Sequence, residues 1–520
     1  MPVKRLLKWW LCFCLIFAFA QFWRMQTRHS RVILITTNAW SPIASLLNAN
    51  RATLEKLKNH HVLFSSAISP VPALLPATTS LMTGLYPYEH GVRLNQTHFL
   101  AFQYETLAEL LRQKGYQTHA IVSSDHLSTR YQIQQGFQSY QLQEKPISFI
   151  LQQASELLAS SSKIFLWLHL SDFASDPQLS TENSQTKSEN EQAFERFLQS
   201  LLDSDSSNTL LTLLQIPEDD FGVFPPTAPD SASTFSSFQS SALIYSATLP
   251  FHSFSFPISF VDLFPTLYHF SVGEPLPSSL SISGIDLTPF LEAPSLSPTE
   301  RWIYFENLFP HFYFGATPFF GLQNQYWRFI QSSQNELYRV EGSENLANQN
   351  SDLTQKLETL LSERFQKNDF EGTILQEGEP ELCFLTSFKK SSLFPNNDCK
   401  TFSEIFPDYL NWKALKPLAE KDPESYLQKM RALSPRFPKG FEFYRHIVET
   451  GFALRDGLSG LSQHFIQQSI DQLCQLDPQH PVTIYYKGLL FYNKHQYEEA
   501  LDEFLKILYT TPHEPETNFL

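Results

Sequence analysis

Val32-Ile33-Leu34-Ile35-Thr36-Thr37 and Ile164-Phe165-Leu166-Trp167-Leu168-His169 are two short runs, β-branched or aromatic and nearly free of polar side chains. Runs of this length and continuity read as strands buried on both faces, the kind that a parallel sheet covered by helices requires. Working outward, extended pieces at Val62–Ala67, Thr118–Ser123, Thr209–Leu214 and Ala242–Tyr245 alternate with helical stretches around Ala49–Asn59, Thr106–Lys114 and Gln192–Leu202. Residues 171–192 are rich in Ser, Asn and Gln and read as a loop. A Pro-punctuated helix is expected around Phe260–Phe270 and a polar one near Leu353–Phe365. From Arg31 to about Leu202 the alternation is that of an α/β domain with a mixed, mostly parallel sheet flanked by helices. Ligands of such sheets bind beyond the carboxyl ends of strands, so the residues after Thr37, His169 and Gln215 are the first place to look for chemistry.

The chain has 520 residues, a net charge of −15, 42% hydrophobic residues and 46 Phe. That is enough apolar mass for two to four globular domains. The acidic balance and the lack of a long basic run exclude nucleic acid as the main partner. With 17 Gly and neither GxGxxG nor GxxxxGK[ST], nucleotide binding has little support.

Lys4, Arg5 and Lys8 precede an apolar run from Trp9 to Ala20 that Phe22 and Trp23 extend. Fifteen helical residues span about 22 Å, short of a ~30 Å hydrocarbon core unless Leu6 and Leu7 join and Lys8 snorkels. Residues 1–30 are therefore either an uncleaved single-pass anchor or a cleaved signal peptide. Ala18-Phe19-Ala20 offers a small-x-small cleavage pattern, whereas Arg24, Arg28 and Arg31 follow closely and favour retention. Both readings place the bulk of the chain outside the cytoplasm, at the cell membrane and facing the periplasm or the exterior; a buried core helix is the third reading. Of the five Cys, Cys12 and Cys14 lie in the apolar run, and no CxxC spacing suggests a metal. Cys383 and Cys399 are spaced for a short disulfide loop or remain two free thiols, and Cys474 stands apart.

The last 80 residues change to helical periodicity. With Pro481 as position one of a 34-residue unit, Gly488 falls at 8, Phe491 at 11, Ala500 at 20, Phe504 at 24 and Pro512 at 32, which resembles a tetratricopeptide repeat. Lys487 stands at a position that is usually apolar. A poorer copy precedes it, with Ile466 where a small residue is expected. An ordinary helical hairpin is the alternative. These helices are expected to dock on the preceding domain or on a protein partner.

Leu75-Pro76-Ala77-Thr78-Thr79-Ser80-Leu81-Met82-Thr83-Gly84-Leu85-Tyr86-Pro87-Tyr88-Glu89-His90-Gly91-Val92-Arg93 resembles the core motif of a sulfatase of the alkaline phosphatase superfamily. Further matches follow in order at Leu107–Leu111, Gly115–Thr118, Gly136-Phe137, Phe165–His169, Val261–Leu267, Glu336–Tyr338 and Asn345–Ala347. The resemblance covers roughly residues 31–365. It fits the tail as well, since sulfatase-like proteins with C-terminal tetratricopeptide repeats exist. The organisation it implies is 1–30 anchor or signal, 31–365 sulfatase-like α/β domain, 366–438 linker or subdomain, and 439–520 helical repeats.

Such an enzyme is expected to hold a divalent metal (calcium, or magnesium or zinc) on carboxylates after the first strand and on an Asp-His pair after a later one. A nucleophile at a helix N-terminus then attacks sulfur or phosphorus. At the matching positions this chain has Asn38 and Ala39 for the acids, Leu74 for the nucleophile, Ala77 and Thr78 for the accompanying Ser-Arg or Ser-His, and Ser123 or Ser124 for a base. Ile216-Pro217 takes the place of the Asp-His pair. A leucine cannot attack an ester. Thr78 lies one helical turn beyond it, about 5–6 Å away. Glu218, Asp219 and Asp220 are candidates to replace the lost pair, or else form a solvated turn. Asn38 is a candidate for a neutral metal ligand, or else a turn former.

His90 and His169 survive at family positions, as hydrogen-bonding residues or as ligand contacts, and Asp262 reads as a helix cap. Three functions remain open. One is an extracytoplasmic pseudoenzyme that binds or scaffolds and holds no cofactor. The second is a metal-dependent sulfuric or phosphoric ester hydrolase with a site relocated to Thr78, Asp219, Asp220 and His169. The third is a transferase of a phosphoryl-linked headgroup.

Overall fold

A computed structural model of the chain describes residues 29–39, 43, 55–95, 99–143, 145–171, 184–216, 238–296, 300–308, 318–332, 335–367, 411–412, 414–415, 418–419, 421–437, 440–453, 459–476, 478 and 481–510. The N-terminal apolar segment, Asp219, Asp220, Cys383 and Cys399 lie outside the described residues. No described helix is long and apolar enough to cross a membrane.

In chain order the elements are β1 (Arg31–Thr37), α1 (Glu55–Asn59), β2 (His61–Ile68), α2 (Leu74–Thr83), α3 (Pro87–His90), α4 (Leu107–Gln113), β3 (Gln117–Val122), β4 (Ser139–Leu142), α5 (Ile147–Ser160), β5 (Ile164–Leu170), α6 (Ser184–Asp205), β6 (Thr209–Gln215), β7 (Gln239–Tyr245), β8 (His252–Phe254), β9 (Ile258–Ser259), α7 (Phe260–Val272), α8 (Thr288–Glu292), β10 (Ile303–Asn307), β11 (Phe319–Gln323), β12 (Trp327–Gln331), β13 (Asn335–Arg339), α9 (Ser351–Lys367), α10 (Pro423–Leu433), α11 (Phe441–Ala453), α12 (Gly460–Leu476), α13 (Pro481–Asn493) and α14 (Tyr497–Thr510). The described residues up to 303 form one compact unit and those from 304 onward a second.

The first unit is built on a nine-stranded sheet in the order β4-β3-β5-β1-β6-β7-β2-β8, with β9 also on β2. β1 lies at its centre, parallel to β5 and β6, and is buried almost throughout. Its residues alternate between two apolar layers: Val32 and Leu34 face α2, α4 and α7, whereas Ile33 and Ile35 face α5 and α6. A strand clad on both sides has no use for polar alternation, which is why its sequence is a continuous apolar run. β7 runs antiparallel to both β6 and β2, so the sheet is mixed. The stretch expected to be a loop at 171–192 differs: α6 begins at Ser184. Its first turns are polar, and the buried Phe194, Phe197, Leu198, Leu201 and Leu202 further along anchor a helix that propagates backwards into them.

α2 packs on α7 and is buried at all ten residues, so it is a core helix rather than an amphipathic surface one. Asp262 caps α7 by accepting the Ser259 N–H at 2.8 Å. The same carboxylate takes the Ile285 N–H at 2.9 Å and a bidentate pair of bonds from Arg301 at 2.7 and 2.8 Å.

The second unit contains a four-stranded sheet, β10-β11-β12-β13, antiparallel in its β11-β12-β13 part, that the sequence reading did not anticipate, and the helices α9 to α14. α13 and α14 pack closely because Gly488 has no side chain: a Cβ there would come within 2.6 Å of the Phe504 ring. Lys487 bonds Glu503 of α14 at 2.8 Å, which gives the charge at that ordinarily apolar position a partner. In the preceding pair, Gly451 of α11 gives way to Ile466 of α12, its own Cβ position lying 2.3 Å from the Ile466 Cδ1. The small residue sits on the opposite helix from the one expected.

Candidate functional site

The strand ends that would carry chemistry converge where β1, β5, β3 and β6 finish. Thr36 is in register with His169, and Thr37 with Leu170 on one side and Gln215 on the other. Trp167 donates its indole N–H to the Thr36 hydroxyl at 3.0 Å, and that hydroxyl in turn bonds the His169 Nδ1 at 2.8 Å and approaches the Leu168 carbonyl at 3.2 Å. All three side chains are fully buried. His169 is thus fixed in the sheet through Nδ1. The Ser123 hydroxyl donates to the His169 carbonyl at 2.8 Å and accepts the Ser171 N–H at 2.9 Å. The amide of Asn38 donates to the Ser171 carbonyl, and the Ile216 N–H closes on the Thr37 carbonyl at 2.8 Å.

A divalent cation of the kind the resemblance implies is held by anionic oxygens. Directly after β1, β5 and β6 the described residues are Asn38, Ala39, Ser171 and Ile216, none of them acidic. Among the described residues no group of three His, Cys, Asp or Glu could hold a metal ion. The described donor set therefore does not fit such an ion. The candidates Asp219 and Asp220, and Pro217 of the Ile-Pro pair, lie outside it.

At the head of α2 the fit to nucleophilic chemistry fails for a different reason. Leu74 is the first helical residue and is wholly buried. Its side chain contributes roughly 1.5–3 kcal/mol of burial where a hydroxyl or thiol would have to be activated. A helix N-terminus attracts anions through its free N–H groups. Here the Leu75 N–H is taken by the Asn95 Oδ1 at 2.8 Å, Pro76 has no N–H, and the Ala77 N–H bonds the Ala73 carbonyl at 3.1 Å. Thr78 lies a turn further in, fully buried, and its hydroxyl makes no hydrogen bond among the described residues. Its neighbours differ, since Thr79 and Thr83 donate back to the carbonyls of Leu75 and Thr79 at 2.8 and 2.7 Å.

His90 staples the end of α3 to α2. Its Nδ1 accepts the Val92 N–H at 3.1 Å, so the proton sits on Nε2, which donates to the Ser80 hydroxyl at 2.9 Å. His90 and His169 are thus both built into the scaffold, on different elements. Burial opposes the Arg301 charge, but the Asp262 carboxylate beside it outweighs this and raises the guanidinium above its ordinary value. Sequence reasoning missed Asn95, Thr36, Trp167 and Arg301. Asn95 carried the one usable signal, an amide two residues past the matched stretch and ready to cap a helix.

Residues 31–247 match the model of the Sulfatase family. Among solved structures, Ps i-CgsB in complex with k-i-k-neocarrahexaose and Ps i-CgsB alone each align with a TM-score of 0.53 and 14% identity, over 70% of this chain and 98% of theirs. The phosphonate monoester hydrolase SpPMH from Silicibacter pomeroyi aligns with a TM-score of 0.48 and 14% identity, over 65% of this chain and 95% of its own. No protein of curated function matches the chain by sequence. The fold is the sulfatase one, with a helical region following it.

Proposed function

We propose that this sulfatase-fold chain does not turn over esters and works instead as a binding or scaffolding module, held at the membrane by residues 1–30 with its bulk outside the cytoplasm. The observation that carries this reading is the closed head of α2. Leu74, which stands where the resemblance places the nucleophile, is the first residue of the helix, and Asn95, Pro76 and Ala73 leave the helix end little with which to grip an anion. The neutral lacing of Thr36 to His169, Asn38 to the Ser171 carbonyl and Ser123 to Ser171 supports it, because these hydrogen bonds are made within the scaffold and carry no anionic group. The C-terminal helices, read as tetratricopeptide-like, supply the contact surface for a protein partner.

One observation favours a second reading. A fully buried hydroxyl without a hydrogen-bond partner among the described residues, at Thr78, is a costly group to retain. In that reading Thr78, with Asp219, Asp220 and His169, serves a metal-dependent hydrolase or headgroup transferase of sulfuric or phosphoric esters.

The test is turnover of aryl sulfate and aryl phosphate esters by the purified full chain, with calcium, magnesium or zinc added, alongside its metal content. The expected result is no turnover above buffer and no thermal shift with any metal. Stoichiometric metal lost on Asn38→Ala or Asp220→Ala, or turnover abolished by Thr78→Val, would sink the scaffold reading.

A further inference from the structure

The chain enters the fold at His29, two residues before β1, and is tied there to several elements at once. The His29 N–H donates to the Ser271 carbonyl at 3.2 Å and its Nδ1 to the Phe270 carbonyl at 3.1 Å, both at the end of α7. Nδ1 therefore carries the proton, and Nε2 accepts the hydroxyl of Ser246, just after β7, at 2.8 Å. The Tyr116 hydroxyl donates to the His29 carbonyl at 2.6 Å, and the Ile164 N–H of β5 to the Ser30 carbonyl at 2.8 Å. Arg31 reaches Ser204 of α6 at 3.0 Å and the Leu158 carbonyl of α5 at 3.4 Å. The His29 ring stacks on Phe270 and is buried. This clamp lies at the amino-terminal edge of the parallel strands, since Arg31 is in register with Ile164 and Thr209, the first residues of β5 and β6.

The apolar N-terminal run ends at Trp23, so five residues, Arg24 to Arg28, join it to the clamp. Fully extended they reach at most about 17 Å. Given the retained anchor proposed above, we infer that the amino-terminal edge of the sheet faces the bilayer and that the carboxyl edge, with Thr37, His169 and Gln215, faces away from it. A ligand of that edge then comes from the aqueous side and not from the headgroups of the membrane that holds the chain. β1 rises about 20 Å from Arg31 to Thr37, so with the carboxyl edge against the bilayer His29 stands beyond the reach of the tether. Laid on either face, the unit has a layer of helix ~10–12 Å thick beneath its sheet, which with the half-thickness of the sheet itself brings His29 close to the end of a straight tether. Laid on its side, it has three strands on one flank of β1 or four on the other, and at ~4.8 Å each these hold the clamp about 14–19 Å up. A tether pulled straight gives up its conformational entropy. With the amino-terminal edge down it needs no extension. The carboxyl edge then stands a strand's length above the headgroups, which removes a lipid headgroup of the same bilayer from the substrates of the hydrolase or transferase reading.

The experiment reconstitutes the purified full chain into vesicles of phosphatidylethanolamine and phosphatidylglycerol. Flotation that survives a carbonate wash first shows that the anchor is retained. One membrane-impermeant dye, coupled to an azide-bearing amino acid, is then placed either at exposed Ser162, just before β5, or at exposed Asp125, shortly after β3, and energy transfer to a headgroup-labelled lipid is read. Melting curves matching the unlabelled chain show that both labelled forms are folded. Transfer from Ser162 is expected to exceed that from Asp125 by at least about twofold, because the strands set the two dyes ~20 Å apart in height. A flexible Gly-Ser insert of about 20 residues between Arg24 and Met25, with an r.m.s. span of ~25 Å, is expected to bring the two values together. In a chain that floats, transfer from Asp125 equal to or above that from Ser162 overturns the inference and leaves the anchor reading standing. A difference that survives the insert overturns it too, since the short tether is then not what sets the posture. A chain that does not float overturns it together with the anchor reading.

Discussion

The hydroxyl of Thr36 bonds the Nδ1 of His169 at 2.8 Å while accepting the indole N–H of Trp167 at 3.0 Å, so one threonine satisfies two buried side chains on the neighbouring strand. Thr36→Val keeps the volume and leaves both partners unmet in a fully buried layer. The expected cost is about 1–3 kcal/mol, read as a lower urea midpoint with an unchanged slope. Thr36→Ser should lose much less. Equal losses for the two variants would mean that packing, not the hydrogen bonds, matters at this site.

Asp262 is fully buried and gathers Arg301, Ser259 and Ile285 around one carboxylate. Arg301→Ala is expected to destabilise by about 2–4 kcal/mol, below the range for a fully buried pair because Arg301 is partly exposed. Asp262→Asn/Arg301→Ala should recover part of that loss, since no uncompensated charge then remains. Additive losses in the double-mutant cycle would contradict this.

Three histidines of the first unit are held below their ordinary value by burial: His29, His61 and His119. The folded state thus keeps them neutral while the unfolded chain still binds protons near pH 6.5. Stability from these groups is complete above about pH 6.5 and is lost as the pH falls through that value toward the lowered folded ones. The melting temperature should drop between pH 7.5 and 5.5, by about 2–4 °C for each kcal/mol lost. His29→Gln, which keeps bonds to the Phe270 carbonyl and Ser246 within reach, should flatten the slope; an identical slope would mean His29 does not contribute.

Gly488→Ala drives a methyl group into the Phe504 ring. The expected penalty is about 1–3 kcal/mol, confined to the melting of the C-terminal helices. Phe504→Leu in the same chain should restore part of it. A neutral Gly488→Ala would show that α13 and α14 can separate at no cost.

The central strands were legible because β1 and β5 are buried on both faces and so carry unbroken apolar runs. The second sheet was not. Its strands are five residues long, and Glu306, Gln323, Arg328 and Gln331 are buried within it, a pattern that reads as surface until partners such as Tyr304 for Glu306 and Gln323 for Arg328 are seen. At the site, Leu74 and Asn38 could be placed by their spacing from recognisable motifs. Thr36 could not, because its role arises from register with a residue 133 positions away. The Asn95 bond to the Leu75 N–H spans 20 residues and is likewise a tertiary fact.

The place of β1 in the sheet has a consequence for synthesis. Its hydrogen-bonding neighbours are β5 and β6, which end at Leu170 and Gln215. β1 therefore has no edge to join until β5 is complete, about 130 residues later, and its second edge stays open until about 180 have followed. At 5–20 residues per second the first wait lasts roughly 7–27 s, during which an apolar segment with both edges unpaired is exposed to other nascent chains. Delivery of this protein should depend on a holding chaperone that engages β1 early, and slowing elongation between Thr37 and Gln215 should lower its yield more than slowing it after Ile303.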